Sequence, residues 1–143
     1  MIYLDSCAAV KLIREEAESD ALQSWLDVRP EELVATSELA LAEVVRVVRR
    51  SNHTDQGALV DPDRLRAELD GAHAVLGGLA LVTLDRETLE RAAALEAPMV
   101  RTLDAIHLVS ALEWPAESVE FVTYDRRLAT AVENAGMSVI SPS

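Results

Sequence analysis

With 143 residues, a formal charge of −12 and half its residues apolar, the chain is long enough for one ordinary domain, 1–143, that buries roughly two-thirds of its unfolded surface. The charge argues against non-specific binding to duplex nucleic acid, which depends on neutralising many phosphates, and no apolar run approaches the roughly 18 residues of a membrane span, so the chain is expected in the cytoplasm. One cysteine, Cys7, excludes an intramolecular disulfide and a cysteine-rich zinc site, and with only 3% aromatic residues the core must be built from Ala, Val, Leu and Ile, which favours helices on a sheet.

Met1 to Leu4 runs apolar without alternation, as suits a central strand of a parallel sheet covered on both faces. Asp5 follows at its carboxyl end, the edge where open α/β sheets place ligands. A first helix is predicted over Cys7–Glu15, with Cys7 as a small buried residue and Lys11, Arg14, Glu15 and Glu16 marking the solvated side and the turn. A second runs over Glu18–Val28 and stops before Pro30. Leu33-Val34-Ala35 is a short strand, after which Thr36 or Ser37 caps a long helix carrying Leu39, Leu41, Val44, Val45, Val47 and Val48. The polar stretch Ser51–Asp61 reads as a turn or mobile connection, and Asp61-Pro62 starts the next helix, which Gly77-Gly78 ends. Leu79–Leu84 is a third buried strand; Asp85 caps a helix over Arg86–Leu95, and Pro98 interrupts before a strongly apolar helix over Arg101–Leu112. Val119–Thr123 is a fourth strand, Asp125-Arg126-Arg127 turns into a last helix ended by Gly136, and Ser138–Ile140 closes the chain as a strand. Strands alternating with helices imply parallel βαβ units with right-handed crossovers.

Asp5, Asp104 and Asp125 each lie at a helix start, where a carboxylate caps free amides and meets the positive end of the dipole. Glu43, Arg46 and Arg50 are spaced i, i+3, i+7 on one helix face, which reads either as a solvated stripe or as an acid flanked by phosphate-holding arginines. Taken together, the strand-end acids Asp5 and Asp125 share one sheet edge that Glu43 and Asp104 can reach from packed helices. Carboxylates so gathered repel unless protonated or bound to metal. Hard oxygen donors fit Mg²⁺ or Mn²⁺, and two such ions can clamp an in-line phosphoryl displacement by metal-activated water. Because Mg²⁺ usually takes one or two carboxylates directly, some of the four should act through water.

At four motifs the chain resembles the PIN-domain ribonucleases, and within them the VapC toxins of toxin–antitoxin pairs. They are Leu4-Asp5-Ser6, Ser37-x5-Glu43-x2-Arg46, Arg101-x2-Asp104-Ala105-x-His107-x3-Ala111, and Thr123-Tyr124-Asp125-x2-Leu128. The resemblance implies a three-layer α/β/α sandwich around a mainly parallel sheet of four or five strands. It further implies a Mg²⁺-dependent endoribonuclease, with Mn²⁺ as a possible substitute, held inactive by a cognate VapB-like antitoxin. Asp5, Glu43, Asp104 and Asp125 match the family's acidic quartet: Asp5 and Asp104 as direct metal ligands, Glu43 orienting water or completing the shell, and Asp125 serving a second, weaker ion. Ser6 and Thr123 match the small hydroxyl positions beside the acids.

His107, three residues after Asp104 on an apolar helix, reads as a satisfied core histidine whose closeness to the acid leaves a supporting role open. Arg126, with Arg46 and Arg50, is a candidate for a basic rim that holds an RNA backbone. Trp25 and Trp114 read as packing or interface residues. Leu22, Trp25, Leu26, Val44, Val47 and Val48 exceed what one small core obviously needs, so they are candidates for a homodimer contact or an antitoxin groove. Two alternatives compete. A Mg²⁺-dependent phosphatase of the haloacid-dehalogenase type needs a second aspartate where this chain has Cys7, and a receiver domain needs a late lysine although Lys11 is the only lysine. A non-catalytic interaction module would use the acids merely as helix caps.

Overall fold

The computed structural model describes residues 1–143. Its elements are β1 (Ile2–Leu4), α1 (Ser6–Lys11), α2 (Ser19–Asp27), β2 (Val34–Ser37), α3 (Ala40–Ser51), α4 (Pro62–Gly77), β3 (Ala80–Val82), α5 (Arg86–Ala93), α6 (Thr102–Ala111), β4 (Glu120–Val122), α7 (Arg126–Asn134) and β5 (Ser138–Ile140). All five strands are parallel, in the order β3-β2-β1-β4-β5. The central β1 sets Tyr3 opposite Ala35 on one flank and Phe121 on the other. Strand order runs outward from β1 through β2 and β3, then restarts on the far flank with β4 and β5. The order in which strands are added therefore reverses between β1 and β4, and ligands of such sheets bind at the carboxyl ends beside that point.

Alternation along β1 divides the core between two faces. Ile2 and Leu4 pack with Ala8, Leu22 and Val122 under α1 and α2. Tyr3 points the other way, stacking on Phe121 with centroids 4.9 Å apart, in the larger cluster that α5, α6 and α7 cover. A further apolar cluster joins Ala9 and Val10 of α1 to Ala40 and Val44 of α3 and Ala72 and Leu76 of α4. The result is a three-layer α/β/α sandwich. Helix α6 is buried from Ala105 through Ala111 because it lies between the sheet and α5 and α7.

Several expectations are corrected. Leu79–Leu84 is not a buried strand: β3 is the sheet edge, and Leu81 on it is 38% exposed. Thr36 does not cap α3 but lies within β2, where its hydroxyl donates to the Leu4 carbonyl at 2.8 Å; Ser37 accepts from the Leu39 amide, and the helix starts at Ala40. Helix α1 ends at Lys11, and the next residues turn. Lys11 and Arg14 are not solvated markers. Lys11 bonds the Ala17 carbonyl and Glu18 and lies over the Tyr124 ring, whereas Arg14 pairs with Glu68 of α4 at 3.2 Å. Cys7 is exposed, because Ser6, Ala8, Ala9 and Val10 take the inward positions of α1. The early-helix apolar set is not surplus either. Leu22, Val44 and Val48 are fully buried, and Trp25, Leu26 and Val47 are partly buried against the core. Segment 51–61 is an ordered turn, with His53 bridging Leu59 and Gly57 at φ 80. Asp61, Asp85 and Asp125 cap their helices as expected.

Candidate active site

Asp5 leaves β1 at its carboxyl end and caps α1, accepting from the Ala8 amide at 2.7 Å. It is 4% exposed and pairs with no basic side chain. Burial pushes its carboxyl above the ordinary carboxylate range; the Thr123 hydroxyl, the Ala8 amide and His107 pull it back, and Asp104 pushes it up again. Thr123 directly follows β4, and its Oγ1 accepts the Asp125 amide at 3.1 Å, which leaves its proton for Asp5. Asp125 caps α7 through the Arg127 and Leu128 amides. The Leu128 amide is the largest influence holding that carboxyl low; burial opposes it, and the Arg127 amide and Arg101 add to it.

Glu43 enters from α3 and meets Ser6 and His107. Its Oε2 accepts from the Ser6 hydroxyl and stands 2.8 Å from His107 Nε2, which also lies 2.9 Å from Ser6 Oγ. On the far side of the ring Nδ1 meets the Tyr3 hydroxyl at 3.0 Å. If the phenol donates to Nδ1, Nε2 carries the proton and donates to Glu43. Burial alone would raise Glu43, but the bonds from His107 and Ser6 outweigh it and hold the carboxyl below its usual range. Burial likewise keeps the Tyr3 phenol protonated, far above its ordinary value. His107, 2% exposed, is thus the satisfied core histidine its helix predicts and also the back wall of the site.

Asp104, in the first turn of α6, caps nothing. Its Oδ2 accepts from Arg101 Nε at 3.0 Å, while Arg101 Nη2 reaches Asp125 Oδ2 at 3.1 Å. The acids therefore stand in two groups, Asp104 with Asp125 around a guanidinium and Glu43 with Ser6 and His107, with Asp5 buried beside both; they do not close into one cage. Loss of water around the Cys7 thiol pushes it up, and the charges of Asp5, Asp104, Glu43 and Asp125 add to the rise, to about 11. A depression of about 450 Å³ opens there, lined among others by Ser6, Cys7, Glu43, Tyr124 and Asp125.

The donor chemistry fits a divalent cation. A buried carboxylate without a basic partner is costly unless a cation neutralises it. Oxygen donors dominate, since the thiol stays protonated at neutral pH and both His107 nitrogens are engaged, which favours a hard ion. Of the residues expected at the rim, Arg126 is exposed beside Asp125. Arg46 and Arg50 line a separate depression with Arg49 and His53, further along α3. Sequence reasoning assigned no task to Arg101 or Tyr3. The i, i+3 spacing of Arg101 to Asp104 was the available signal for the first; nothing local signals the second.

The PIN domain family matches residues 2–134. Ribonuclease VapC35 of Mycobacterium tuberculosis is 40% identical over 144 residues, spanning 99% of this chain and 97% of the relative. Ribonuclease VapC46 of the same species is 40% identical over 142 residues, spanning 99% and 98%. Among solved structures, the crystal structure of VapBC2 from Rickettsia felis bound to a DNA fragment from their promoter matches with a TM-score of 0.68 at 17% identity, over 100% of both chains. The chain belongs to the PIN-domain family and, by its identity to these relatives over nearly its whole length, to the VapC-type ribonucleases within it.

Proposed function

We propose that residues 1–143 form one PIN domain that hydrolyses RNA phosphodiester bonds with a divalent cation, Mg²⁺ or in its place Mn²⁺. It acts in the cytoplasm as the toxin of a toxin–antitoxin pair. The observation that carries this reading is Asp5, a buried carboxylate with no ion-pair partner at the crevice between β1 and β4, near enough to Asp104 for that acid's charge to raise its carboxyl. The names of the 40%-identical relatives supply the reaction, and the VapBC2 complex supplies the kind of partner, a VapB-like antitoxin. Apolar side chains exposed around α5 and α6, Leu89, Met99 and Leu103, support a homodimer contact.

Asp5 and Asp104 would hold the cation, which when bound would polarise the phosphate and lower the pKa of water. Both hydrogen bonds to Glu43 go to Oε2, so Oε1 keeps its lone pairs for the attacking water. Being ionised, Glu43 orients that water and accepts its proton. His107 and Ser6 fix the carboxylate plane, and Tyr3 fixes the ring. Thr123 steadies Asp5, and Asp125 closes the outer side. Arg46, Arg50 and Arg126 hold the RNA backbone outside the crevice.

A second reading, a non-catalytic module, draws on the fact that Asp5 and Asp125 do cap helices. The deciding experiment is cleavage of a mixed cellular RNA preparation by the purified, antitoxin-free chain with Mg²⁺, Mn²⁺ or chelator, beside an Asp104→Asn control. Discrete metal-dependent fragments absent from the control are expected. Identical behaviour of the two folded proteins in both metals would establish the module instead.

A further inference from the structure

Arg101 is the basic side chain that ion-pairs with two of the four acids; Lys11, which lines the same depression, is engaged instead by Glu16 and Glu18. The planar Arg101 guanidinium bridges Asp104 and Asp125, which belong to α6 and to the junction of β4 and α7. It ties the outer half of the crevice together by giving one charge-assisted N–H to each carboxylate. The inner half has no such partner: Asp5 makes no ion pair, and Glu43 is held by a hydroxyl and an imidazole. A guanidinium thus lies between the two outer carboxylates, whereas on the inner side Glu43 meets an imidazole, which is charged only when protonated, and Asp5 makes no ion pair.

The geometry points to Arg101 as the resident of the outer cation position, so that the chain binds a single divalent ion, on the inner side at Asp5 and the Asp104 oxygen that Arg101 leaves free, and contributes the second positive charge itself. This inference rests on the acids being a metal site and adds to it the number of ions and the residue that stands in for the other. An ion approaching Asp125 must displace the guanidinium from two carboxylates at once, which weakens its binding. Only Nε–H and one Nη2–H are engaged, and the side chain is 69% exposed. Three N–H donors remain to meet the non-bridging oxygens of the scissile phosphate, where negative charge grows during in-line displacement.

The test is titration of Mn²⁺ into the metal-free full chain, followed by calorimetry and by the electron paramagnetic resonance of the free ion, for wild type, Arg101→Ala and Arg101→Lys. The expected result is one ion per chain for wild type and for Arg101→Lys. Arg101→Ala should take up a second ion at least about tenfold more tightly than any second binding to wild type. Arg101 is exposed and outside the core, so the alanine variant should fold, and a thermal melt checks it. One ion in Arg101→Ala, or two ions bound alike in wild type and variant, overturns the inference while the metal site stands. No ion in any of the three overturns both.

Discussion

Replacing Asp5 by Asn separates a metal ligand from a structural cap, because Asn keeps the side-chain oxygen that accepts the Ala8 amide and is as good an N-cap as Asp. What it removes is charge. Burial raises the Asp5 carboxyl and Asp104 adds to the rise, so in the metal-free protein the ionised form is disfavoured. Removing an uncompensated charge from a functional site typically returns on the order of 1–2 kcal/mol, from which the lost helix-dipole attraction takes about 0.3–1 kcal/mol. The net, about 1 kcal/mol, corresponds to a rise in Tm of roughly 3 °C for a chain of this size. The advantage should depend on pH in a definite sense. With its pKa higher in the folded than in the unfolded state, the wild-type carboxyl loses stability as pH rises through that interval. Asn therefore gains over Asp above it and gains nothing below the unfolded value near about 3.9. A saturating divalent ion reverses the order. At 100 times Kd it adds about 2.7 kcal/mol to wild type and much less to a variant lacking the ligand. The assay is a thermal melt of both proteins in chelator and in Mn²⁺, at pH 4 and pH 8. An Asp5→Asn protein that melts several degrees below wild type in chelator at pH 8 would refute the reasoning and return Asp5 to a capping role.

His107→Ala should cost about 2–4 kcal/mol in urea unfolding, because it opens a cavity and strips partners from the Tyr3 hydroxyl and Glu43; it should also lower kcat at unchanged metal stoichiometry. A loss below about 1 kcal/mol would show that the buried relay is loose. Glu68 of α4 ties together Arg14 in the turn after α1, Asn52 at the C-cap of α3 and Arg64 of its own helix, and although burial pushes its carboxyl up, the bonds from Asn52 and Arg64 prevail and lower it. Glu68→Gln should therefore destabilise by about 1 kcal/mol at neutral pH, with the gap closing as acid protonates the wild-type carboxyl; a gap unchanged at pH 3 would refute it. Arg46→Ala and Arg50→Ala should weaken RNA binding alike for all sequences, each reducing the salt slope by about 0.7 while leaving Tm within about 2 °C. Slopes equal to wild type would remove both arginines from the RNA path.

Asp5 and Asp125 were legible in the sequence because each ends an apolar strand and begins a helix, and parallel sheets gather such positions on one edge. Glu43 and Asp104 were not legible in this way. One sits a turn into α3 and the other a turn into α6, and neither caps a helix, so their convergence depends on how those helices lie on the sheet. Motif order linked them where periodicity could not. The edge position of β3 was hidden for a related reason. Leu79–Leu84 is apolar throughout, and exposure of Leu81 follows from strand order rather than local composition. Charge alone misleads for long side chains, since Lys11 and Arg14 bury their stems and clamp turns although their charges suggest solvent.

The same reasoning explains how a chain of net charge −12 can present arginines to an anion. Arg14, Arg64, Arg66, Arg91 and Arg101 each have a carboxylate partner, whereas Arg46, Arg49, Arg50, Arg126 and Arg127 have none. Arg49 and Arg50 need no further reason for their places, because they lie in the last turn of α3, where cations complement the helix dipole. Arg126 and Arg127 are the reverse case. They open α7, at the positive end of its dipole, where two cations are unfavourable by local electrostatics and only the Asp125 cap offsets them. A departure from local rules beside the acid crevice is the kind of cost that functional sites retain. An incoming phosphate backbone would turn it into attraction, so the first turn of α7 rather than the end of α3 is where RNA contact has the firmer physical basis.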